Sequence, residues 1–390
     1  MIKRLRPLCA VLALFACAGC ANEKIPLPEL SAGQIDTLGS YLEAHALSPE
    51  AYVVSKFDDH DVVVLGEMHR VKHQVEFVRD LIPALYDAGV YHLATEFGRR
   101  EDQALIDSLL ALSVYDEALA REINFRQSVH WAYEEYVDIY RAAWQVNSRR
   151  PAGAPAFRIL GMGDSPDWTH VKTQADRDND AIKKLVWKGC SEEYWAQVVL
   201  DEVERGDKVL VHCGIHHGFT EFLQPIVTGN GEFVRYEDAR MGTYLYKAIG
   251  KRAITIYLHA PWDREYYGSG LYYPVDGTID ALMARLGSEY YPVGFDTRGT
   301  PFGGLSCERS VYGAGYEDLT LEMFCDGYVF FKPLSRHEGT TVIEGYYDDE
   351  NIERARRGTP NPDFRDATAE DFQNGAESSA NIARRYRKLH

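Results

Sequence analysis

Short apolar stretches rich in β-branched residues recur along the chain, and four of them end in a charged or imidazole side chain. Residues 62–65 run Val-Val-Val-Leu into Gly66-Glu67-Met68-His69; residues 90–95 end at Glu96; residues 157–163 end at Asp164; residues 208–213 lead into Gly214-Ile215-His216-His217. Apolar runs of this length predict strands buried on both faces, as in a parallel sheet. Between the first two, apolar residues at 71, 75, 78, 81, 82 and 85 follow the 3/4 spacing of an amphipathic helix, which Asp87-Ala88-Gly89 stops. Strand, helix and strand over that length predict a βαβ unit with parallel strands. Further strands are expected over 251–259 and 325–331, and helix over 35–55. A long helical insertion over 101–148 carries Trp131, Tyr133, Tyr136, Tyr140 and Trp144, an aromatic stripe that reads as core. Residues 261–320, rich in Gly and Tyr, read as loop forming one wall of a cleft. The pattern predicts an α/β fold: a mostly parallel central sheet with helices on both faces.

In such a sheet ligands bind beyond the carboxyl ends of the strands, and parallel strands bring all those ends to one edge. A cap would explain Glu67 alone, and a core position would explain one histidine. Four consecutive strand ends bearing polar groups point instead to a site. The candidate catalytic residues are Glu67, His69, Glu96 and His217, expected in one cleft within about 10 Å, the reach of groups around a small ligand. His73, Asp164 and His216 are candidate binding residues. His69, Glu96 and His217 suit a divalent metal with an open position, or a general base with an electrostatic partner.

The same residues carry a family resemblance. Gly66-Glu67-Met68-His69, His73-Gln74, Ala94-Thr95-Glu96-Phe97 and Gly214-Ile215-His216-His217 resemble, as an ordered set, the ChaN-like haem-binding lipoproteins. They are also similar to the wider superfamily of erythromycin esterases and Tiki metalloproteases. The resemblance spans roughly residues 60–335 and implies an α/β fold with its cleft at the strand ends. By the family's G-x-x-H spacing the matching histidines are His69 and His217, and the matching carboxylates Glu67 and Glu96. The doubled histidine leaves the roles of His216 and His217 open to exchange. The leading expectation is a hydrolase-like site for an ester or peptide, with Glu96 or Glu67 as base and His69 and His217 holding metal or an oxyanion. The alternative is haem binding for iron uptake, with Tyr or His on the iron. A third reading is a non-catalytic surface lipoprotein. No C-x-x-C-H sequence is present, so haem would be held without covalent attachment.

Composition adds an address. Lys3, Arg4 and Arg6 precede an apolar run over 8–18, an export signal too short to span a membrane. Ala16-Cys17-Ala18-Gly19-Cys20 resembles a bacterial lipobox, which makes Cys20 the expected lipidated residue and the outer membrane the expected location. Removing residues 1–19 takes away three bases and no acids, leaving 39 bases against 59 acids, or −20. So acidic a surface argues against nucleic acid and anionic lipid as partners. The expected organisation is a signal peptide over 1–19, a tether over 20–34, one domain over 35–343, and a polar tail over 344–390 that is an appended arm or disordered. Cys307 and Cys325 are the expected disulfide pair and Cys213 a buried free thiol.

Overall fold

A computed structural model describes residues 24–389; the expected export signal and Cys20 lie outside the described residues. The central sheet has seven strands: β1 Val62–Glu67, β2 His92–Arg99, β3 Arg158–Gly163, β4 Val209–Gly214, β5 Ala253–Leu258, β6 Val293–Asp296 and β7 Gly327–Phe330. Their order across the sheet is β6-β7-β5-β1-β4-β2-β3, parallel throughout except for β6, which pairs antiparallel with β7 at one edge. The alternation along β1 explains its continuous apolar run. Val63 and Leu65 enter the core beneath helices Lys72–Asp87 and Glu134–Arg149, while Val62 and Val64 enter a second core beneath helices Glu192–Glu204 and Met241–Ile249. Helices therefore cover both faces, as expected of a parallel sheet. The insertion after β2 is helical too (Gln103–Ala111, Glu117–Gln127, Glu134–Arg149) and buries Tyr133, Tyr136 and Tyr140.

Two segments differ from the expectation. Residues 261–320 contain helix Thr278–Leu286 and strand β6. That strand has only four residues, one of them glycine, and lies directly after Pro292, so it carries little apolar signal. The polar C-terminus is neither a free arm nor disordered. It forms helices Ile352–Gly358, Ala369–Ala380 and Ile382–Arg385, and it sinks Tyr346, Tyr347, Ala355, Phe372 and Ala376 into the larger core. Its end meets the start of the described chain, where Ile25 N–H donates to Lys388 O at 2.8 Å. A few widely spaced aromatic anchors bind this segment, and such anchors leave no periodic trace in a sequence. Cys307 and Cys325 are buried in one cluster as separate thiols rather than as a disulfide. Cys213 is a buried free thiol within β4.

Candidate functional site

Register fixes the site. Glu67 at the end of β1 stands beside Gly214 of β4, and Thr95 of β2 stands beside His212. Glu67 is fully buried and takes three donors: His69 Nδ1 at 2.9 Å and Tyr136 Oη at 2.6 Å on Oε1, and His212 Nε2 at 2.7 Å on Oε2. Burial alone would raise its pKa, but His212 and His69 outweigh burial and hold it at about 2. Glu67 is thus an ionised carboxylate at any physiological pH. His69 gives its Nδ1–H to Glu67, which fixes the ring and turns Nε2 toward Glu96 Oε1 at 3.5 Å.

The backbone around His69 is shaped to aim it. Arg70 lies in the left-handed region at φ 68°, which costs a side-chain-bearing residue energy and persists only where neighbours hold it. Its amide donates to Tyr136 Oη (3.1 Å), its Nε to Tyr133 Oη (3.0 Å), and its guanidinium lies 4.2 Å from the Trp131 ring. Gln74 closes the same turn, accepting from Met68 N–H at 2.8 Å. Opposite, a Cβ on Gly214 would come within 2.6 Å of the His69 ring, so only glycine permits the imidazole to lie against β4 there.

Glu96, within β2 one residue past its pairing with β4 rather than at the strand's end, accepts from Gly214 N–H at 3.0 Å and reaches toward His217 Nε2 at 3.8 Å. His217 pairs through Nδ1 with Glu192 at 3.0 Å, and Glu192 pairs in turn with Arg240 at 2.7 Å. Burial lowers the His217 pKa, yet Glu192 and Glu96 together leave it raised. The structure therefore brings Glu67, His69, Glu96 and His217 into one connected group at the carboxyl edge of the sheet.

Beside this group lies a cavity of about 780 Å³, within the range that holds small ligands and cofactors. Its walls carry three indoles (Trp168, Trp187, Trp195), Tyr244, three guanidinium groups (Arg99, Arg126, Arg240) and His217. Asp102 pairs with both Arg99 and Arg126, and Glu122 pairs with Arg126 as well at 2.8 Å. Buried Arg240 Nε and Gln127 Oε1, both on residues of the wall, have no hydrogen-bond partner among the described residues. Asp164 also lines the cavity, held by Ser191 N–H (3.1 Å) and Trp195 Nε1 (2.9 Å), with burial raising its pKa.

The other two candidate binding residues fall outside the cleft. His216 turns to the opposite side of its loop, bonded to Tyr312 Oη at 2.8 Å, and burial lowers its pKa to about 3. His73 packs against Phe331 and His337. The residues not anticipated are His212, Tyr136, Glu192 and Arg240. His212 left one signal, an imidazole inside an otherwise apolar strand. Among the described residues, one group of three has ligand atoms within 4.8 Å of one another: His92, Glu202 and Asp207, where β2 begins. Arg158 and Arg205 already pair with Glu202 at 3.2 and 2.6 Å, which makes that a poor place for a cation.

Residues 53–162 match the family described as haem-binding uptake, Tiki superfamily, ChaN. The matched stretch runs from before β1 to β3 and holds Glu67, His69, His73 and Glu96; His217 lies beyond it. Among solved structures, a succinoglycan biosynthesis protein is 12% identical with a TM-score of 0.51, over 78% of this chain and 98% of that one. That likeness is one of fold. A Bacillus cereus protein is 11% identical with a TM-score of 0.48, over 80% of this chain and all of that one. ChaN of Campylobacter jejuni, which binds haem cofacially, is 13% identical with a TM-score of 0.34, over 53% and 84%. No curated protein sequence matches the chain.

Proposed function

We propose that the chain is a haem-binding protein of the ChaN kind, and that haem occupies the indole-lined cavity beside His217. The observation that carries this reading is the cavity itself. Flat indole and phenol surfaces suit a porphyrin plane, and the guanidinium groups of Arg99 and Arg126 with the open Nε of Arg240 suit its carboxylates. His217, with Glu192 behind its Nδ1, has the carboxylate–imidazole arrangement of a metal ligand. Tyr244 and the free thiol Cys190 are the other wall residues with a suitable donor. Bound haem would supply an iron whose behaviour its axial ligand sets. The match over residues 53–162 adds support from the family side and moves haem ahead of hydrolysis.

A second reading is favoured by the Glu67 group. An ionised carboxylate that fixes the His69 tautomer and leaves Nε2 facing Glu96 suits general acid–base hydrolysis of an ester or amide. In that case Glu67, bonded on three sides, orients, while His69 and Glu96 move the proton.

The experiment is a haemin titration beside an ester and peptide hydrolysis screen. A saturable Soret band is expected from the wild type, with His217→Ala or Tyr244→Phe shifting it according to which side chain holds iron, and Glu96→Gln leaving it in place. Absence of any Soret band, together with turnover that Glu96→Gln lowers by about 10²–10⁴, would replace haem binding with hydrolysis.

A further inference from the structure

Outside the cleft, partly buried His130 and buried His337 have no carboxylate partner and lie against the C-terminal segment, residues 344–389, and partly buried His73 joins them through His337. His130 Nε2 bonds to Thr359 Oγ1 at 2.7 Å, and its ring lies 5.5 Å from Phe364 and 5.5 Å from Phe372. Further along, the His73 and His337 rings meet at 4.5 Å, with Tyr386 at 5.8 Å from His337. Both ring nitrogens of His73 and Nδ1 of His337 have no hydrogen-bond partner among the described residues. Between these points the two backbones touch, for a Cβ on Gly339 would overlap the carbonyl of Ala380.

The charges around these rings oppose protonation. Arg70 acts on His130, and Lys332 acts on both His73 and His337. The carboxylate of Asp280 pairs with His259 Nε2 at 3.2 Å, and His259 lies 5.9 Å from His337. Glu338, near Lys332 at 3.6 Å, is exposed. From the C-terminal segment itself come the phenol of Tyr386 and, behind it, Arg385. Burial first, and then these cations, hold His73 at about 3 and His130 at about 4. Burial, with His73 and His259 beside it, holds His337 well below its ordinary value.

The same segment closes the cavity. Gly358 and Pro360 belong to its wall, and Arg365 holds the opposite wall by donating to Val171 O (3.0 Å) and to Trp168 O. Gln174 on that side reaches Asn361 and Asp363 at 2.8 and 2.7 Å.

We propose that residues 344–389 form an acid-released strap over the cavity, lifted by proton uptake at His130, His73 and His337. Its effect on a bound ligand rests on the cavity being the ligand site; the lifting itself does not. His73 and His130, which titrate near 6.5 when freed and at about 3 and about 4 when covered, gain a proton only in the lifted state between those values, and His337 is held in the same direction. The covered state therefore loses ground as pH falls below about 6.5, tenfold per unit for each imidazole. From pH 7.5 to 5.0 that is about 30-fold for His73 and for His130.

The test is hydrogen exchange of the whole chain at pH 7.5 and 5.0, corrected for intrinsic rates and read against the amides of β4. Protection over 369–380 and 382–389 is expected to fall by at least about 30-fold at the lower pH. His130→Gln should flatten that fall in the first span, and His73→Gln or His337→Gln in the second. Equal corrected protection at both pH values, already in the wild type, would overturn the strap, as would a fall that persists in all three variants. A parallel haemin dissociation measurement separates the two readings. Release that quickens at pH 5.0 in the wild type but not in the triple variant supports strap and cavity together. Loss of protection without any change in haemin retention, or without haemin binding at all, leaves the strap standing and removes its link to the cavity.

Discussion

His69 and His73 are four residues apart in one segment, yet they occupy opposite regimes. His69 joins a group in which each imidazole lies within 4 Å of a carboxylate: His69 with Glu67 and Glu96, His212 with Glu67, and His217 with Glu192 and Glu96. His73 belongs to a group in which imidazoles meet each other, aromatic rings and Lys332. The left-handed turn at Arg70 sends the two side chains to different elements. The contrast shows that burial alone does not decide what a histidine does. With a carboxylate beside it, burial strengthens an ion pair. Without one, burial makes the ring a neutral packing piece that fails in acid.

The largest effect that would test this contrast is at Glu67. Its folded pKa of about 2, against an ordinary 4.5, contributes stability that is fully present above pH 4.5 and lost as pH falls from there toward 2. A shift of that size corresponds to about 3 kcal/mol. Glu67→Gln keeps the shape and should lower unfolding stability at pH 7 by that amount, with the gap to wild type narrowing as pH falls from 4.5 toward 2. Denaturant midpoints across that range measure it. A variant as stable as wild type at pH 7 would mean that His212, His69 and Tyr136 do not act as its charged and hydrogen-bonding partners.

A smaller effect is expected at Tyr136. Its phenol donates to Glu67 and accepts from Arg70 N–H, and both burial and the neighbouring carboxylate raise its pKa, keeping it a donor. Tyr136→Phe removes one hydrogen bond to a charged group, which is worth about 1.5–3 kcal/mol. The loss should be smaller in a Glu67→Gln background, as a double-mutant cycle would read. Additive losses would separate the two residues.

How far this arrangement is legible in the sequence depends on how each residue signals itself. Strand ends can be read, because 62–65 and 208–213 are apolar runs that stop at polar residues, and their parallel order brings Glu67, His69, Glu96 and His217 to one edge. His212 and Tyr136 are hidden, since one sits within a strand and the other within an aromatic stripe, and only register and helix packing place them on Glu67. Choosing between His216 and His217 needs the short turn Ile215–Gly218, which points the first at Tyr312 and the second at Glu192. The C-terminal segment reads as free in the sequence because Tyr346, Phe372 and Tyr386 anchor it across the fold at intervals without period. Spacing reports local structure, whereas these contacts join residues far apart along the chain.

The smallest effect at neutral pH, and the sharpest use of the contrast, is at His73. Its ring nitrogens have no hydrogen-bond partner among the described residues, so replacing it with an apolar side chain of similar volume removes polar atoms that gain nothing from burial. His73→Leu should therefore change stability at pH 7 by no more than about 1 kcal/mol, in either direction. In acid the outcome should separate from wild type. A folded pKa of about 3 against an ordinary 6.5 means that the unfolded chain takes up a proton the folded chain refuses, so wild-type stability drains as pH falls from 6.5 toward 3. At pH 5, one and a half units below 6.5, that loss is about 2 kcal/mol, and the His73→Leu protein should escape it. The variant is then expected to be the more stable protein at pH 5 while matching wild type at pH 7, the reverse of what Glu67→Gln does. Urea midpoints at the two pH values decide the matter. A His73→Leu protein that is several kcal/mol weaker at pH 7, or that loses stability in acid as steeply as wild type, would show that His73 has a polar partner and belongs with His69 after all.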